Sequence, residues 1–419
     1  MTADDILQPT AADAPAGRAA ATAQEPRLGT IVALGSMTAL GPFTIDMYLP
    51  ALPDIAAALD SSSSGAQLTI TGTLIGLALG QLVIGPLSDT LGRKRPLVAG
   101  IALHIVAALL AVFATSIVML GVLRVFQGVG AAAAAVVTMA MVRDLYSDGT
   151  VAVVISRLML VLGVAPVLAP SIGGALLVAL DWRGIFVALA LIGVVIALIA
   201  IFALPETLPP DRRRPGGLGP VLRTYGMLLR DRTFVALTLV ASVVMASLFV
   251  YVSGASFVYQ DQFDLDQQQF ALVFSAGAFS MIGATQLNVR LLRRWSPRQI
   301  VQWSLTAAVA LGLVAVVVAF FTIGGMAGFV AALWIMLGAV CFVLPNAPAL
   351  ALSRHGEAAG TAAALLGSMQ YAVGAVVAPL VGLLGNTSTA LVSSMTVCLA
   401  IALATMLASA RISDRPPRT

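Results

Sequence analysis

Long apolar runs, interrupted at regular intervals by short polar or glycine- and proline-bearing turns, dominate this chain. Each run is close to the ~20 residues that a helix needs to cross a hydrocarbon layer of roughly 30 Å. The pattern predicts twelve spans, at about 28–50, 66–87, 97–115, 117–142, 151–178, 184–204, 233–257, 267–289, 299–322, 326–350, 359–384 and 388–410. The weakest break separates the third and fourth and rests on Ala114, Thr115 and Ser116. The spans fall into two six-span halves of nearly equal length, 28–204 and 233–410, joined by a charged, proline-bearing linker, 205–232. Residues 1–27 carry Asp4, Asp5, Asp13 and Glu25 and lack the basic start and apolar core of a cleaved leader, so a cytoplasmic tail is expected there, with a second at 411–419. The predicted fold is an all-α membrane protein, two pseudo-symmetric bundles of six helices. Duplicated halves around a midplane site are the architecture of secondary transporters that rock one half against the other.

Composition agrees. Of 419 residues, 59% are hydrophobic and only 10% charged, which excludes a soluble domain and a disordered chain alike. Cys341 and Cys398 sit within apolar runs and read as small hydrophobes, and His104 and His355 are too few for a zinc site, so no metal and no cofactor are expected. The net charge of +4 raises the question of nucleic acid, which the placement of the basic residues answers. Outside the spans, 20 of 21 Lys and Arg residues fall on the side of both termini. The opposite side has only Arg183 and is otherwise acidic, with Asp54, Asp60, Asp181, Asp261, Asp264 and Asp266. Basic loops mark the cytoplasmic face. Both termini are therefore expected in the cytoplasm of a bacterial inner-membrane protein whose surroundings are lipid, with no nucleic-acid partner.

The candidate chemistry lies where charge enters the membrane, because an ionisable residue within a span is costly and functional by default. Asp46 is the one acid well inside a span; Arg124 is the deepest arginine, while Arg157 lies close enough to an end to snorkel. Counted from the outer helix ends at ~1.5 Å per residue, both deep charges lie roughly 12 to 14 Å down and are expected to share a cavity. Burial favours a neutral carboxyl group and a nearby cation favours its ionised form, so a cavity that opens and closes can load and unload a proton on Asp46. The plainer alternative is a static Asp46–Arg124 pair that fixes two helices. Gly72, Gly76 and Gly80, and later Gly374, Ala378 and Gly382, repeat at four-residue spacing and predict close helix packing. In the fifth span, Gly163, Pro166, Pro170, Gly173 and Gly174, with Ala165 and Ala169, predict a bent, closely packed helix.

Three motifs and the first span then carry a family resemblance. Gly80-Gln-Leu-Val-Ile-Gly-Pro-Leu-Ser-Asp-Thr-Leu-Gly-Arg-Lys-Arg95 resembles the signature loop between the second and third helices of the major facilitator superfamily. Arg124-Val-Phe-Gln-Gly-Val-Gly130 resembles the fourth-helix motif of its drug/proton antiporters, and 163–174 their fifth-helix motif, with Ala169 where that motif has Gly before Pro. With Pro42-Phe-Thr-Ile-Asp-Met-Tyr-Leu-Pro-Ala-Leu-Pro53, the pattern is similar to the bicyclomycin and chloramphenicol resistance branch. The resemblance implies an inner gate of Gly85, Asp89, Gly92, Arg93 and Arg95, the glycines serving the tight turn and Asp89 capping a helix of the other half. It also implies proton coupling through Asp46 modulated by Arg124. Phe43, Tyr48, Gln127, Tyr251, Asn346, Gln370 and Tyr371 are candidate substrate contacts, apolar or aromatic groups with few polar handles. The expected function is proton-coupled efflux of small amphipathic antimicrobials, phenicol- or bicyclomycin-like, by a monomer using alternating access. The alternative is proton-coupled transport of an endogenous sugar, amino acid or polyamine. An enzyme would need a buried catalytic constellation, and no Gly-xxxx-Gly-Lys-Ser/Thr loop is present for ATP.

Overall fold

The computed structural model describes residues 28–146, 148–213, 218–355 and 358–413; the expected tails, 1–27 and most of 411–419, lie outside the described residues. Every regular element among the described residues is helical. Among the described residues, twelve helices are long and apolar enough to cross a membrane. In chain order they are α1 (Leu28–Ala58), α2 (Ser63–Leu91), α3 (Lys94–Val112), α4 (Ile117–Leu145), α5 (Val153–Leu176) and α6 (Trp182–Phe202), then α7 (Arg232–Gln262), α8 (Gln267–Leu291), α9 (Pro297–Phe320), α10 (Gly325–Leu352), α11 (Ala359–Leu383) and α12 (Ser388–Ser409).

Polar residues between the apolar runs cap the helices. Ser62 and Ser116 accept the amides of Gly65 and Met119, and Asp266 with Gln269 and Ser296 with Gln299 form capping boxes that open α8 and α9. The weak break at 114–116 is sharp in the structure. Ser116 starts α4, and Arg183 reaches across from α6 to the carbonyls of Val112 and Ala114 at the end of α3. Capping these carbonyls gives Arg183, the exception to the basic-loop bias, a structural task.

The helices pack as two equivalent sets. Within the first half α1 packs on α5, α2 on α4, and α3 on α4 and α6; within the second α7 packs on α11, α8 on α10, and α9 on α10 and α12. A pseudo-two-fold that carries each helix to the one six places on relates these contacts. It also exchanges the two main seams between the halves, α2 with α11 and α5 with α8.

Backbone contact at glycine sets the tightest of these packings. A Cβ on Gly76 would fall against the Val125 carbonyl and 2.9 Å from the Gly128 Cα, and a Cβ on Gly80 would meet that of Ala132. Neither neighbour is a flexible side-chain end that can yield. Gly76→Ala is therefore expected to cost about 3 kcal/mol, the upper part of the overpacking range. Fluorescence size-exclusion of a tagged variant should show loss of the monodisperse peak; an unaltered peak would contradict this packing. Gly85, in contrast, lies inside α2 with only an ordinary 3.8 Å neighbour, so the tight-turn role expected for it does not hold.

The described part of the linker is partly helical. It contains a helix, Leu218–Arg230, which packs on α7 and α11. Leu228 is its buried anchor, and the Tyr225 hydroxyl donates to the Leu82 carbonyl of α2.

Candidate functional site

The site begins with an interruption of α1. Pro50 and Pro53 cannot donate amides, and the regular helix ends at Asp46, continuing through a turn and a short tighter stretch, Leu49–Ala51, before Leu52–Ala58. Broken helices of this kind expose backbone carbonyls at membrane depth, where they are tolerated only when buried in protein or lining a cavity. Here Arg124 Nη1 of α4 donates to the Thr44 carbonyl at 2.8 Å and to Gln127 Oε1 at 3.2 Å. Its guanidinium lies 4.4 Å from the centre of the Tyr48 ring, and the Tyr48 hydroxyl is 2.8 Å from Thr69 Oγ1. Arg124 is fully buried, and its Nε and Nη2 have no hydrogen-bond partner among the described residues.

The two deep charges do not pair. Among the described residues Asp46 makes neither a hydrogen bond nor an ion pair, and it keeps 7% of its surface accessible. Across the seam the buried hydroxyl of Tyr251 of α7 has no hydrogen-bond partner among the described residues, and its ring stacks on Phe274 at 5.0 Å. The static Asp46–Arg124 pair is thus absent, because a carbonyl and an aromatic face hold the arginine instead.

The structure separates the other candidate contacts. Tyr48 and Gln127 are fully buried and hold Arg124 in place, and the Gln127 carbonyl lies 3.3 Å from His104 Nδ1. Asn346 is spent on Asn288 Oδ1 and the Phe342 carbonyl, both at 2.7 Å, within the second half. Phe43 lines an apolar groove of about 440 Å³ between α1 and α6, beside the exposed Leu191 and Val195, and so faces the lipid side. Gln370 and Tyr371 remain half-buried on α11, Tyr371 against Phe249 at 5.8 Å. Among the described residues no cluster of three His, Cys, Asp or Glu side chains is placed to hold a metal.

Contacts between the halves concentrate at the end that carries the acidic loops. Ser256 donates to the Leu49 carbonyl at 2.6 Å, Gln260 to the Pro50 carbonyl at 3.2 Å, and Gln67 to Asn386 Oδ1 at 2.7 Å. Ser171 of α5 meets Ser275 of α8 at 2.9 Å. On α5, a Cβ at Gly173 would strike the Met47 carbonyl and one at Gly174 would lie 2.9 Å from that of Ala271, so this helix is wedged between the broken α1 and α8. Ala165 and Ala169 are buried on the same stripe, whereas Gly163 has open space beside it. Pro166 and Pro170 both lie inside one continuous helix.

At the opposite, basic end the expected gate residues form a network within the first half. Arg93 pairs with Asp89 and with Asp144 Oδ2 at 2.8 Å, and donates to Ser88. Asp89 binds Arg93 in its own half and not a helix of the other, which corrects the expected cap; Arg95 is exposed and stands outside the network. Glu206, which sequence reasoning missed, accepts the amides of Arg93 at 2.8 Å, Lys94 at 3.2 Å and Leu208 at 3.0 Å. It closes the start of α3, where a carboxylate meets the positive helix end. Burial alone would raise the pKa of Glu206, but the three amides and Arg213 outweigh it and hold the carboxyl below its ordinary range. A depressed carboxylate stabilises the fold above the unfolded Glu value of about 4.3 and loses that contribution as pH falls through its lower folded value.

Gly92 makes this clasp geometrically possible. Its φ is +89°, and a Cβ there would lie 2.5 Å from Glu206 Oε2 and 2.8 Å from Arg213 Nη2. Gly92→Ala should add backbone strain of about 1–3 kcal/mol and displace Glu206. Faster amide exchange at Arg93, Lys94 and Leu208 is the expected reading, and unchanged protection would contradict the clasp.

The comparisons agree with this geometry. The sequence profile described as Major Facilitator Superfamily matches residues 34–379. A "Bicyclomycin resistance protein homolog" of Haemophilus influenzae is 33% identical over 88% of this chain and 93% of its own length. A "Chloramphenicol resistance protein" of Pseudomonas aeruginosa is 30% identical over 87% of this chain and 84% of its own. Among solved structures, a bacterial homolog of the human lysosomal transporter Spinster, in an inward-facing and unoccupied conformation, superposes with a TM-score of 0.72. That match covers 93% of this chain and 98% of the other at 17% identity, a likeness of fold. The molecule is therefore a multi-pass transporter of the bacterial inner membrane and not an enzyme. The chain belongs to the major facilitator superfamily, in the branch of the bicyclomycin and chloramphenicol resistance proteins.

Proposed function

We propose that this protein is a proton-coupled exporter of small amphipathic antimicrobials, phenicol- or bicyclomycin-like, that works as a monomer by alternating access. The observation that carries the reading is Asp46, an acid at the break of α1 that no described group neutralises, beside a seam where the two halves meet. A carboxyl group so placed can exchange a proton each time the surrounding walls rearrange. Arg124 supplies the positive field, held by Thr44, Gln127 and Tyr48. Tyr251, Gln370 and Tyr371 present aromatic and polar surface to substrate, and the basic-end network around Asp89 and Arg93 acts as the gate. The basic loops support cytoplasmic termini, and with that orientation the contacts at the acidic end support reading this conformation as inward-facing. The resistance functions named for the relatives support drug export over transport of an endogenous metabolite.

Expression in a pump-deficient bacterium tests the reading against a panel of phenicols, bicyclomycin, tetracycline and lipophilic cations. Protection against a phenicol or bicyclomycin is expected. No protection from any compound, with the protein confirmed in the membrane, would overturn drug export and leave an endogenous metabolite as the cargo.

A further inference from the structure

Several hydrogen bonds that reach the first or second half from outside it, two from the other half and one from the linker helix, end on backbone carbonyls that share a cause. In an α-helix the carbonyl of residue i is closed by the amide of residue i+4, which proline lacks. Pro53 withholds that amide from Leu49, Pro86 from Leu82, and Pro379 from Ala375. Each carbonyl accepts a hydroxyl from outside its own half, at Leu49 alongside the Leu52 amide. Ser256 of α7 donates to Leu49 of α1 at 2.6 Å, and Thr71 of α2 to Ala375 of α11 at 3.3 Å. Tyr225 of the linker helix, which packs on α7 and α11, donates to Leu82 of α2 at 3.3 Å.

We propose that these three proline-freed carbonyls are releasable latches that hold the two halves together in the state closed at the acidic end, with Ser256, Thr71 and Tyr225 as their donors. The inference rests on the alternating-access reading above. Its physical basis is that an ordinary helical carbonyl is already closed by its own amide and gains little from a further donor, whereas a freed one buried in protein is costly to leave open. Prolines therefore create acceptors on helix surfaces without any polar side chain to bring charge into the membrane. The Leu49 carbonyl illustrates the division of labour. The Leu52 amide makes a short-range bond to it, and the Ser256 hydroxyl fills the remaining capacity. Two of the bonds are longer than the usual 2.5–3.0 Å of hydroxyl–oxygen pairs, as suits contacts that must part in every cycle. The donors are positioning residues; none is required to touch substrate.

Distance distributions between spin labels test this without relying on transport. Labels at Asp60→Cys and Asp264→Cys report the acidic end, in a background with Cys341 and Cys398 replaced by Ala. Wild type in lipid should show two populations, a short distance for the closed acidic end and a long one for the open. Ser256→Ala, Thr71→Val and Tyr225→Phe should each shift the ratio toward the long distance by about two- to tenfold, the equilibrium range of one net hydrogen bond. Thr71→Ser keeps the hydroxyl and should match wild type. Pro53→Ala restores an amide to Leu49, so it should shift the ratio in the same direction, and the Pro53→Ala/Ser256→Ala pair should be less than additive. Two wild-type populations that none of the hydroxyl deletions alters would overturn the latches while leaving alternating access intact. A single wild-type population that neither pH nor chloramphenicol shifts would overturn alternating access and the latches with it.

Discussion

Asp46→Asn is expected to remove uphill export while the protein still folds and reaches the membrane. The amide keeps the shape of the side chain, and no described hydrogen bond or ion pair is lost with the charge. What disappears is the ability to exchange a proton for substrate. One elementary charge moving through 100 mV supplies about 2.3 kcal/mol. Since 1.4 kcal/mol is tenfold, the variant forfeits a substrate gradient of roughly 50-fold. In growth assays at matched expression, resistance should fall to that of the empty vector. Downhill equilibration of substrate should persist, because the walls of the pathway are unaltered. Wild-type resistance in a well-expressed variant would exclude Asp46 as the coupling group.

Arg124→Met separates stability from function in the opposite sense. The guanidinium is fully buried with two nitrogens lacking partners, held by a carbonyl, an amide oxygen and the Tyr48 face. Desolvating a cation without a carboxylate beside it is expensive, and replacing whole buried ionic clusters by apolar side chains is often neutral or stabilising by about 1–4 kcal/mol, against which the Thr44 carbonyl and Gln127 Oε1 would here lose a donor. The thermal unfolding midpoint should therefore hold or rise. Transport should fall at least about tenfold, because a bond from a charged group, typically about 1.5–3 kcal/mol, no longer fixes the Thr44 carbonyl beside Asp46. Arg124→Lys should fail as well, since one ammonium on a flexible stem does not reproduce the planar fork that serves both Thr44 and Gln127. A midpoint that drops sharply together with transport would make Arg124 a structural residue.

The fold was legible because the membrane imposes a simple grammar. Span lengths, the six-plus-six division and the basic-loop bias all follow from hydrophobic thickness and charge; ten of the predicted spans fall within four residues of the observed helices, while the first runs on to Ala58 and the seventh to Gln262, past the predicted ends at 50 and 257. Asp46 and Arg124 were legible for the same reason, as charge in an apolar run. Less visible was what each charge touches. Arg124 is held by the Thr44 backbone, and a backbone acceptor leaves no residue-type signal, although Pro50 and Pro53 mark the break that exposes it. Glu206 lies more than a hundred residues from the Arg93 and Lys94 amides it closes, so only the folded chain brings them together. Phe43 precedes Asp46 by less than one helical turn, close enough to suggest a shared face. The rotation between those positions is nevertheless sufficient to turn the ring toward the groove at α6. Asn346 looked free because Asn288, its partner, sits two helices earlier. The five-residue turn Val258–Gln262 that widens the end of α7 has no proline or glycine to announce it, and its Gln260 reaches α1 only through tertiary contact.

On the proposed function, one carboxyl group links proton movement to drug movement. The most direct measurement places purified protein in liposomes with a pH-sensitive dye inside and adds a phenicol or bicyclomycin outside with no imposed gradient. Exchange through Asp46 predicts a drug-dependent change in internal pH with wild type and none with Asp46→Asn, although both variants bind the drug. An equal pH change from the two proteins, or drug entry with no proton movement in wild type, would contradict coupling at this residue.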